Sequence, residues 1–159
     1  MNARPREFIA AALAGGLVAG TLDIAVACLL SRRSVPFILH SIAGGLLGEQ
    51  SFAGGTRTVI LGAVLQEAMA VVIAAVFVAA TGVVPALRRH WIRGGALYGV
   101  VIFLVMNYIV VPLSAWHSWP HFSVANFLRN LLAMLLFGGI VAYFASRPWP
   151  GNAAGTPKQ

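Results

Sequence analysis

The sequence predicts an all-α polytopic membrane protein: a bundle of four transmembrane helices, with a short interfacial or re-entrant helix between the first two. Of the 159 residues, 59% are apolar and only 9% are charged, whereas soluble domains average roughly 45–50% and 25%. The mean hydropathy is +0.84. Proline and glycine divide the chain into four apolar runs, each long enough to supply the roughly 20 residues that a helix needs to cross a bilayer.

The four apolar runs define the predicted helices and a single domain. The transmembrane helices are expected at residues 8–30, 59–82, 94–116 and 122–145. With their connections they form one transmembrane domain over residues 1–147. The tail, residues 148–159, is rich in Gly, Pro and Ala and is expected to be disordered.

The stretch 36–48 predicts an additional short helix between the first two spans. Its large apolar residues recur at helical spacing: Ile38, Leu39, Ile42 and Leu46. The stretch is too short to cross a membrane. A re-entrant helix would cover the bundle from outside and an interfacial helix would rest on lipid, and most short amphipathic stretches are interfacial.

The formal charge is +7, but the basic residues do not line one face as they would in a nucleic-acid-binding protein. Their positions instead indicate the membrane topology. The basic residues gather at the ends of the apolar runs. With the N-terminus inside, the inner side holds Arg4, Arg6, Arg88, Arg89, Arg93, Arg147 and Lys158. The outer loops hold Arg32, Arg33 and Arg57. Seven basic residues on the inner side against three on the outer side predict that both termini lie in the cytoplasm. The predicted partner is the lipid bilayer, and no nucleic-acid partner is expected.

One polar residue in each apolar run marks a candidate functional site. These residues are Asp23, Glu67, Asn107 and Arg129. The helical rise places all four about 3 to 7 Å outward of the membrane midplane. Because an ionisable group in hydrocarbon costs roughly 2.5 to 3.5 kcal/mol, such groups are functional candidates by default. We therefore expect one intramembrane polar layer.

Small residues at helical spacing predict which helix faces meet. The predicted packing glycines are Gly16, Gly20, Gly95 and Gly99. The first pair shares a helix face with Asp23, and the second pair shares one with Asn107. A stripe on the second span consists of Ala63, Glu67, Ala70 and Ala74. Because small residues mark helix contacts in membranes, Asp23, Glu67 and Asn107 are expected to point into the bundle.

Arg129 and Asn130 lie near the start of the fourth apolar run, whose strictly apolar part begins only at Leu131. Both residues are assigned to the polar layer. Two positions remain open for the arginine. It either pairs inside the bundle with Asp23 or Glu67, or it extends to the outer surface.

Three histidines fall on the predicted outer side: His40, His117 and His121. Imidazole groups bind metals and sense acidity, so these residues form a candidate pH or metal site. However, Pro120 interrupts the helix, and the spacing of the last two histidines does not guarantee a common face. Ordinary interfacial histidines are the alternative, and no metal is assigned.

The sequence lacks the motifs of common enzymes. It contains no phosphate-binding glycine loop, no nucleophile elbow and no helical HExxH. Cys28 is the only cysteine, so an intrachain disulfide is excluded. We therefore predict that the protein is not an enzyme and has no catalytic residues and no cofactor.

Several segments resemble a group of small, uncharacterised bacterial inner-membrane proteins with four predicted helices. The segments are Gly20-Thr21-Leu22-Asp23-Ile24, Ser41-Ile42-Ala43-Gly44-Gly45-Leu46-Leu47-Gly48, Phe52-Ala53-Gly54-Gly55, Tyr98-Gly99, Met106-Asn107 and Pro112-Leu113-Ser114. The likeness covers roughly residues 8–145. It implies the four-helix topology and a multi-pass location in the bacterial inner (cytoplasmic) membrane, and it implies no substrate.

Two functions are compatible with these observations. In the first, the protein is a proton-responsive protein or small-solute permease that uses the polar layer, as a homo-oligomer because four short helices leave little room for a pathway. In the second, it is a non-catalytic accessory or assembly subunit of a larger membrane complex. The polar layer then only locks the bundle, since polar contacts between membrane helices fix which faces meet.

Overall fold

The fold is a bundle of four long apolar helices, which confirms the predicted all-α class. The computed structural model describes residues 5–117 and 123–147, with side chains from Glu7 onward. The helical segments are α1 (Pro5–Ser31), α2 (Val35–Leu47), a 3-10 helix (Gly48–Ala53), α3 (Gly55–Val83), α4 (Pro85–Arg89), α5 (Trp91–Val105), a π-helical turn (Met106–Val110), α6 (Val111–Leu113) and α7 (Val124–Ser146). The predicted tail, residues 148–159, lies outside the described residues.

In the described part of the chain, four spans are long and apolar enough to cross a membrane. They are α1, α3, the continuous span Trp91–Leu113 and α7. The third span contains α5, the π-helical turn and α6. By helix length and composition the chain is therefore a multi-pass membrane protein.

Local sequence signals explain where several helices begin. Pro36 occupies the first turn of α2, where a proline costs no intrahelical hydrogen bond. Before α7, the Ser123 hydroxyl accepts a hydrogen bond from the Asn126 backbone N–H at 3.3 Å, which caps the helix start. α4, which the sequence analysis did not predict, is a short helix that connects α3 to α5.

The order of the helices around the bundle is α3, α1, α7, α5. α1 packs on α3 and on α7, and α5 packs mainly on α7. Side chains close the ring between α3 and α5, where the Tyr98 hydroxyl donates to the Ile73 carbonyl at 2.7 Å. The Phe77 and Tyr98 rings also contact each other, with centroids 4.9 Å apart.

Glycines bring the helices into close contact. A Cβ atom on Gly16 would lie 2.5 Å from the Val71 Cα, and one on Gly20 would lie 2.8 Å from the Ala70 Cβ. A Cβ on Gly99 would lie 2.5 Å from the Met134 carbonyl oxygen. Gly95 makes a similar approach, with its Cβ position 2.8 Å from the Gly138 carbonyl oxygen. The four predicted packing glycines thus lie where the helix backbones touch.

α2 covers one end of the bundle, which we call the α2 end; the opposite end is the α4 end. The α2 backbone at Leu39 packs against Gly62 of α3. The Trp116 indole donates to the Ser41 carbonyl at 3.1 Å, and the Ala115 N–H donates to the Gly45 carbonyl at 2.8 Å. Gly62 lies about 10 Å from the middle of α3, within the roughly 15 Å half-thickness of a hydrocarbon core. The contact between α2 and α3 therefore fits both an interfacial and a re-entrant helix.

Candidate functional site

Asp23 is the polar residue of α1 and lies against α3. Its Oδ2 atom accepts a hydrogen bond from the Gln66 side-chain Nε2 at 2.9 Å. Gln66 is 7% exposed, and Asp23 is half-buried. Among the described residues, no cationic side chain pairs with this carboxyl group. Asp23 is therefore held by an amide rather than by a positive charge.

A small cavity lies beside Asp23 and is lined by all four spans. Its volume is about 30 Å³, whereas one water molecule needs roughly 10–15 Å³. The wall includes Asp23, Gln66, Ile102 and Phe137, together with three methionines, Met69, Met106 and Met134. Methionine side chains repack readily because they are unbranched and flexible. The cavity can hold a water molecule next to the carboxyl group.

Glu67 is half-buried at the contact between α1 and α3, but Gln66, and not Glu67, lies beside Asp23. The residues of α3 that are buried in the bundle include Gly62, Gln66, Ala70 and Ala74. Glu67 lies one position further along the helix and is therefore rotated by about 100° from Gln66. The spacing of Gly62, Gln66, Ala70 and Ala74 at steps of four was the signal that could have identified Gln66.

Glu67 instead lies in an open groove between α1 and α3. The Thr21 hydroxyl donates to its Oε1 at 3.0 Å, and Thr21 is exposed. Its Oε2 is buried near Gly20 and has no hydrogen-bond partner among the described residues. The groove has a volume of about 650 Å³ and is otherwise apolar. The carboxyl group thus has one oxygen buried between α1 and α3 and one bound to an exposed threonine, and it does not line the Asp23 cavity.

Asn107 and Asn130 join the third span to α7. The Asn130 Nδ2 donates to the Asn107 Oδ1 at 3.0 Å, and the Asn107 Nδ2 donates to the Phe103 carbonyl at 2.8 Å. Asn107 is 8% exposed and lies in the π-helical turn. Such turns are frequent at functional sites. This asparagine pair satisfies polar groups that would be costly to bury alone.

The depth of these groups agrees between the helices. Counting from the middle of each span, Asp23, Gln66, Asn107 and Asn130 lie about 4 to 8 Å toward the α2 end. The layer therefore consists of two hydrogen-bonded pairs, one between α1 and α3 and one between the third span and α7.

Arg129 lies outside this layer. Its side chain is exposed, and among the described residues it forms no ion pair with Asp23 or Glu67. Because α7 begins at Val124, Arg129 is about 9 Å from the middle of the helix. At that depth a long basic side chain can reach the membrane surface, so of the two positions that the sequence left open, the structure has the exposed one.

Two of the three histidines of the candidate outer site, His40 and His117, lie in the described part of the chain. His40 Nδ1 lies 2.9 Å from Thr58 Oγ1, and the Thr58 hydroxyl donates its proton to the Gly55 carbonyl. His117 has a left-handed backbone, with φ 44°. His121 lies outside the described residues. In residues 5–117 and 123–147, no group of three or more His, Cys, Asp or Glu side chains could hold a metal ion.

Comparison with known proteins adds no relative. No family model matches this chain. No curated protein and no solved structure matches it either. The functional assignment therefore rests on the geometry of the chain itself.

Proposed function

We propose that this chain is a proton-responsive integral membrane protein in which the Asp23 carboxyl group binds and releases a proton. The observation that carries the proposal is the position of Asp23, beside a small cavity within a four-span bundle and without a cation partner among the described residues. An ionised carboxyl group in hydrocarbon costs roughly 2.5 to 3.5 kcal/mol. Binding a proton removes that charge, while Gln66 and an included water molecule provide hydrogen bonds.

The size of the cavity favours a proton over a larger solute. Sites for small molecules typically have volumes of about 300–1,000 Å³, whereas the Asp23 cavity has about 30 Å³. A solute permease would need a much larger space in the same bundle. We therefore set the permease alternative below the proton-responsive one.

The cellular location is part of the same proposal. Basic residues are concentrated in the connection between α3 and α5 and after α7, which supports cytoplasmic termini. From the resemblance noted in the sequence motifs we propose the cytoplasmic membrane of a bacterium as the location. A proton-binding group in that membrane would experience the proton gradient across it.

The test is proton binding by the protein reconstituted in lipid bilayers. Infrared spectra recorded between neutral and acidic pH should contain a carboxylic-acid C=O band that follows pH. Asp23→Asn should remove that band, because asparagine keeps an oxygen for Gln66 but cannot release a proton. In sealed liposomes with an enclosed pH dye, the unmodified protein should dissipate an imposed pH gradient faster than the Asp23→Asn variant.

Two further variants control this experiment. Glu49→Gln removes an exposed carboxyl group in the 3-10 helix and should leave both measurements unchanged. Glu67→Gln shows whether the second intramembrane acid contributes to the band. If the Asp23→Asn variant folds normally and keeps the pH-dependent band, Asp23 is not the proton-binding group. Equal gradient dissipation by both proteins would contradict proton movement.

A second candidate function is that of a non-catalytic subunit in a larger membrane complex, and the Glu67 groove favours it. A hydrogen-bonded Thr21–Glu67 pair at the perimeter would face lipid in an isolated bundle, which is costly for polar groups. Small side chains in the groove, Ala63 and Ala68, allow a helix to approach closely. The occupant expected here is a transmembrane helix that carries a hydrogen-bond donor at the depth of Glu67.

Photocross-linking shows whether a protein helix or only lipid occupies the Glu67 groove. A benzophenone amino acid at Leu17, in the groove, should link to a protein segment that mass spectrometry identifies as a second copy or another chain. The same group at Leu132, exposed on α7, serves as the control. Cross-links from both sites to lipid alone would contradict the subunit function.

A further inference from the structure

The connection between α3 and α5 forms a basic corner at the α4 end of the bundle. Arg88 and Arg89 end α4, and Arg93 lies in the first turn of α5. All three side chains are exposed. The corner is held in shape by close packing, since a Cβ on Gly94 would lie 3.0 Å from the Leu87 carbonyl oxygen. A cleft of about 280 Å³ opens here, lined by Arg89, His90, Trp91, Ile92 and Arg93.

The guanidinium groups of this corner are available to an anion. Among the described residues, none of Arg88, Arg89 and Arg93 has a carboxylate partner. A fourth arginine, Arg147, lies at the same end and contacts the Tyr143 ring, with 4.6 Å between its Cζ and the ring centroid. The corner therefore has an excess of positive charge that its own side chains do not neutralise.

Exposed apolar side chains and an aromatic pair lie at the same end of the bundle as these charges. Ile92 is 66% exposed and lines the cleft, and Val83, at the end of α3, is 82% exposed. The Trp91 ring contacts the Tyr143 ring, with centroids 5.6 Å apart. Trp and Tyr favour the level of lipid headgroups. A ligand that matches this surface has an anionic group for the arginines and an apolar part for Ile92 and Val83.

We propose that the basic corner binds the phosphate group of an anionic phospholipid. Arg89 and Arg93 would donate hydrogen bonds to the phosphate oxygens, because guanidinium groups bind phosphate in a bidentate manner. Ile92 and Val83 would contact the start of the acyl chains. Basic pockets beside transmembrane helices are suited to such headgroups. This site is separate from Asp23 and does not depend on proton binding there.

The experiment measures lipid retention by the full chain in detergent. The purified protein is incubated with equal amounts of phosphatidylglycerol and phosphatidylcholine, and native mass spectrometry counts the bound lipids. Phosphatidylglycerol should be retained preferentially. Each arginine near an anionic lipid increases the affinity roughly fivefold, so the Arg89→Gln/Arg93→Gln variant should bind phosphatidylglycerol with about 25-fold lower affinity.

Matched variants separate charge from folding. Arg57→Gln changes an exposed arginine at the α2 end and should keep the preference for phosphatidylglycerol. Arg89→Lys/Arg93→Lys preserves the charge and should retain part of the binding, which a misfolded variant would not. Equal retention of both lipids by the unmodified protein, or unchanged retention by the Arg89→Gln/Arg93→Gln variant, would overturn the proposal.

Competition with inorganic phosphate distinguishes the two sources of the anionic group. For a lipid site, millimolar inorganic phosphate should displace little phosphatidylglycerol, because free phosphate lacks the acyl contacts with Ile92 and Val83. Complete displacement by inorganic phosphate would show that a soluble phosphate compound is the ligand and would overturn the lipid assignment.

Discussion

At the scale of single residues, the closest helix contacts depend on glycines that have no room for a side chain. Gly138 and Gly139 are neighbours on α7 and differ sharply in this respect. A Cβ on Gly138 would lie 2.7 Å from the Gly99 backbone nitrogen, whereas a Cβ on Gly139 would meet nothing within 4 Å. The two positions therefore form a matched pair for testing the packing of α7 against α5.

We predict that Gly138→Ala destabilises the bundle and Gly139→Ala does not. Overpacking a close contact costs about 1–3 kcal/mol, whereas alanine at an open helical position stabilises by roughly 0.5–1 kcal/mol. The measurement is thermal unfolding of both variants in the same detergent. Equal stability of the two variants would show that α5 and α7 do not pack through Gly138.

A second prediction concerns the asparagine pair. Asn130→Leu removes the donor to the buried Asn107 Oδ1 atom and should reduce the free energy of unfolding by about 1–3 kcal/mol, because that oxygen loses its hydrogen-bond partner. Asn126→Leu is the control, because Asn126 is an exposed asparagine on the same helix. A stability loss in Asn126→Leu that matches Asn130→Leu would argue against a specific contribution of the pair.

At the scale of secondary-structure elements, α2 is attached to the bundle through the segment that follows α6. The Trp116 ring packs over Gly44, and its indole N–H binds the Ser41 carbonyl. The Phe52 ring lies 6.4 Å from the Trp116 ring, centroid to centroid. α2 is therefore held by one large side chain from a distant part of the sequence, and not only by its own apolar residues.

We predict that Trp116→Phe loosens α2 without unfolding the four spans. The loss of one hydrogen bond costs about 0.5–1.5 kcal/mol, so amide hydrogen exchange should accelerate over residues 35–47 by roughly two- to tenfold. Exchange in α3 and α7 should stay unchanged. Trp91→Phe, at the opposite end of the bundle, should leave hydrogen exchange in α2 unchanged. Faster exchange in α2 of this variant as well would indicate a general loss of stability.

At the scale of the whole molecule, an even number of spans places both ends of the bundle's chain on the same side of the membrane. The distribution of basic residues then decides which side that is. We predict that green fluorescent protein fused after the last residue fluoresces in bacterial cells, and that alkaline phosphatase inserted after Gly54 is active outside. Replacing Arg88, Arg89 and Arg93 with glutamine should weaken the bias and produce mixed orientations. A non-fluorescent C-terminal fusion together with inactive phosphatase after Gly54 would reverse the proposed topology.

Several features of the fold and the site could be predicted because they depend on position along a helix axis. The apolar runs predicted four spans, and the rise of a helix predicted that Asp23 and Asn107 lie at a similar depth. Hydrophobic length and axial rise do not depend on which neighbours a helix has. The depth of the polar groups was therefore available before any tertiary contact was known.

The rotation of each helix was decided only by the tertiary structure. In a membrane the outer face of a helix is as apolar as its buried face, so hydropathy does not show which residues point inward. Gly62 and Gln66 share one face of α3. Gly62 packs against Leu39 of α2, and in this rotation of α3 Gln66 lies beside Asp23 while Glu67 lies in the groove between α1 and α3. The sequence by itself determined the four spans and the level of their polar residues. Contacts between small side chains determined which of those residues meet, because a shift of one residue rotates a side chain by about 100°.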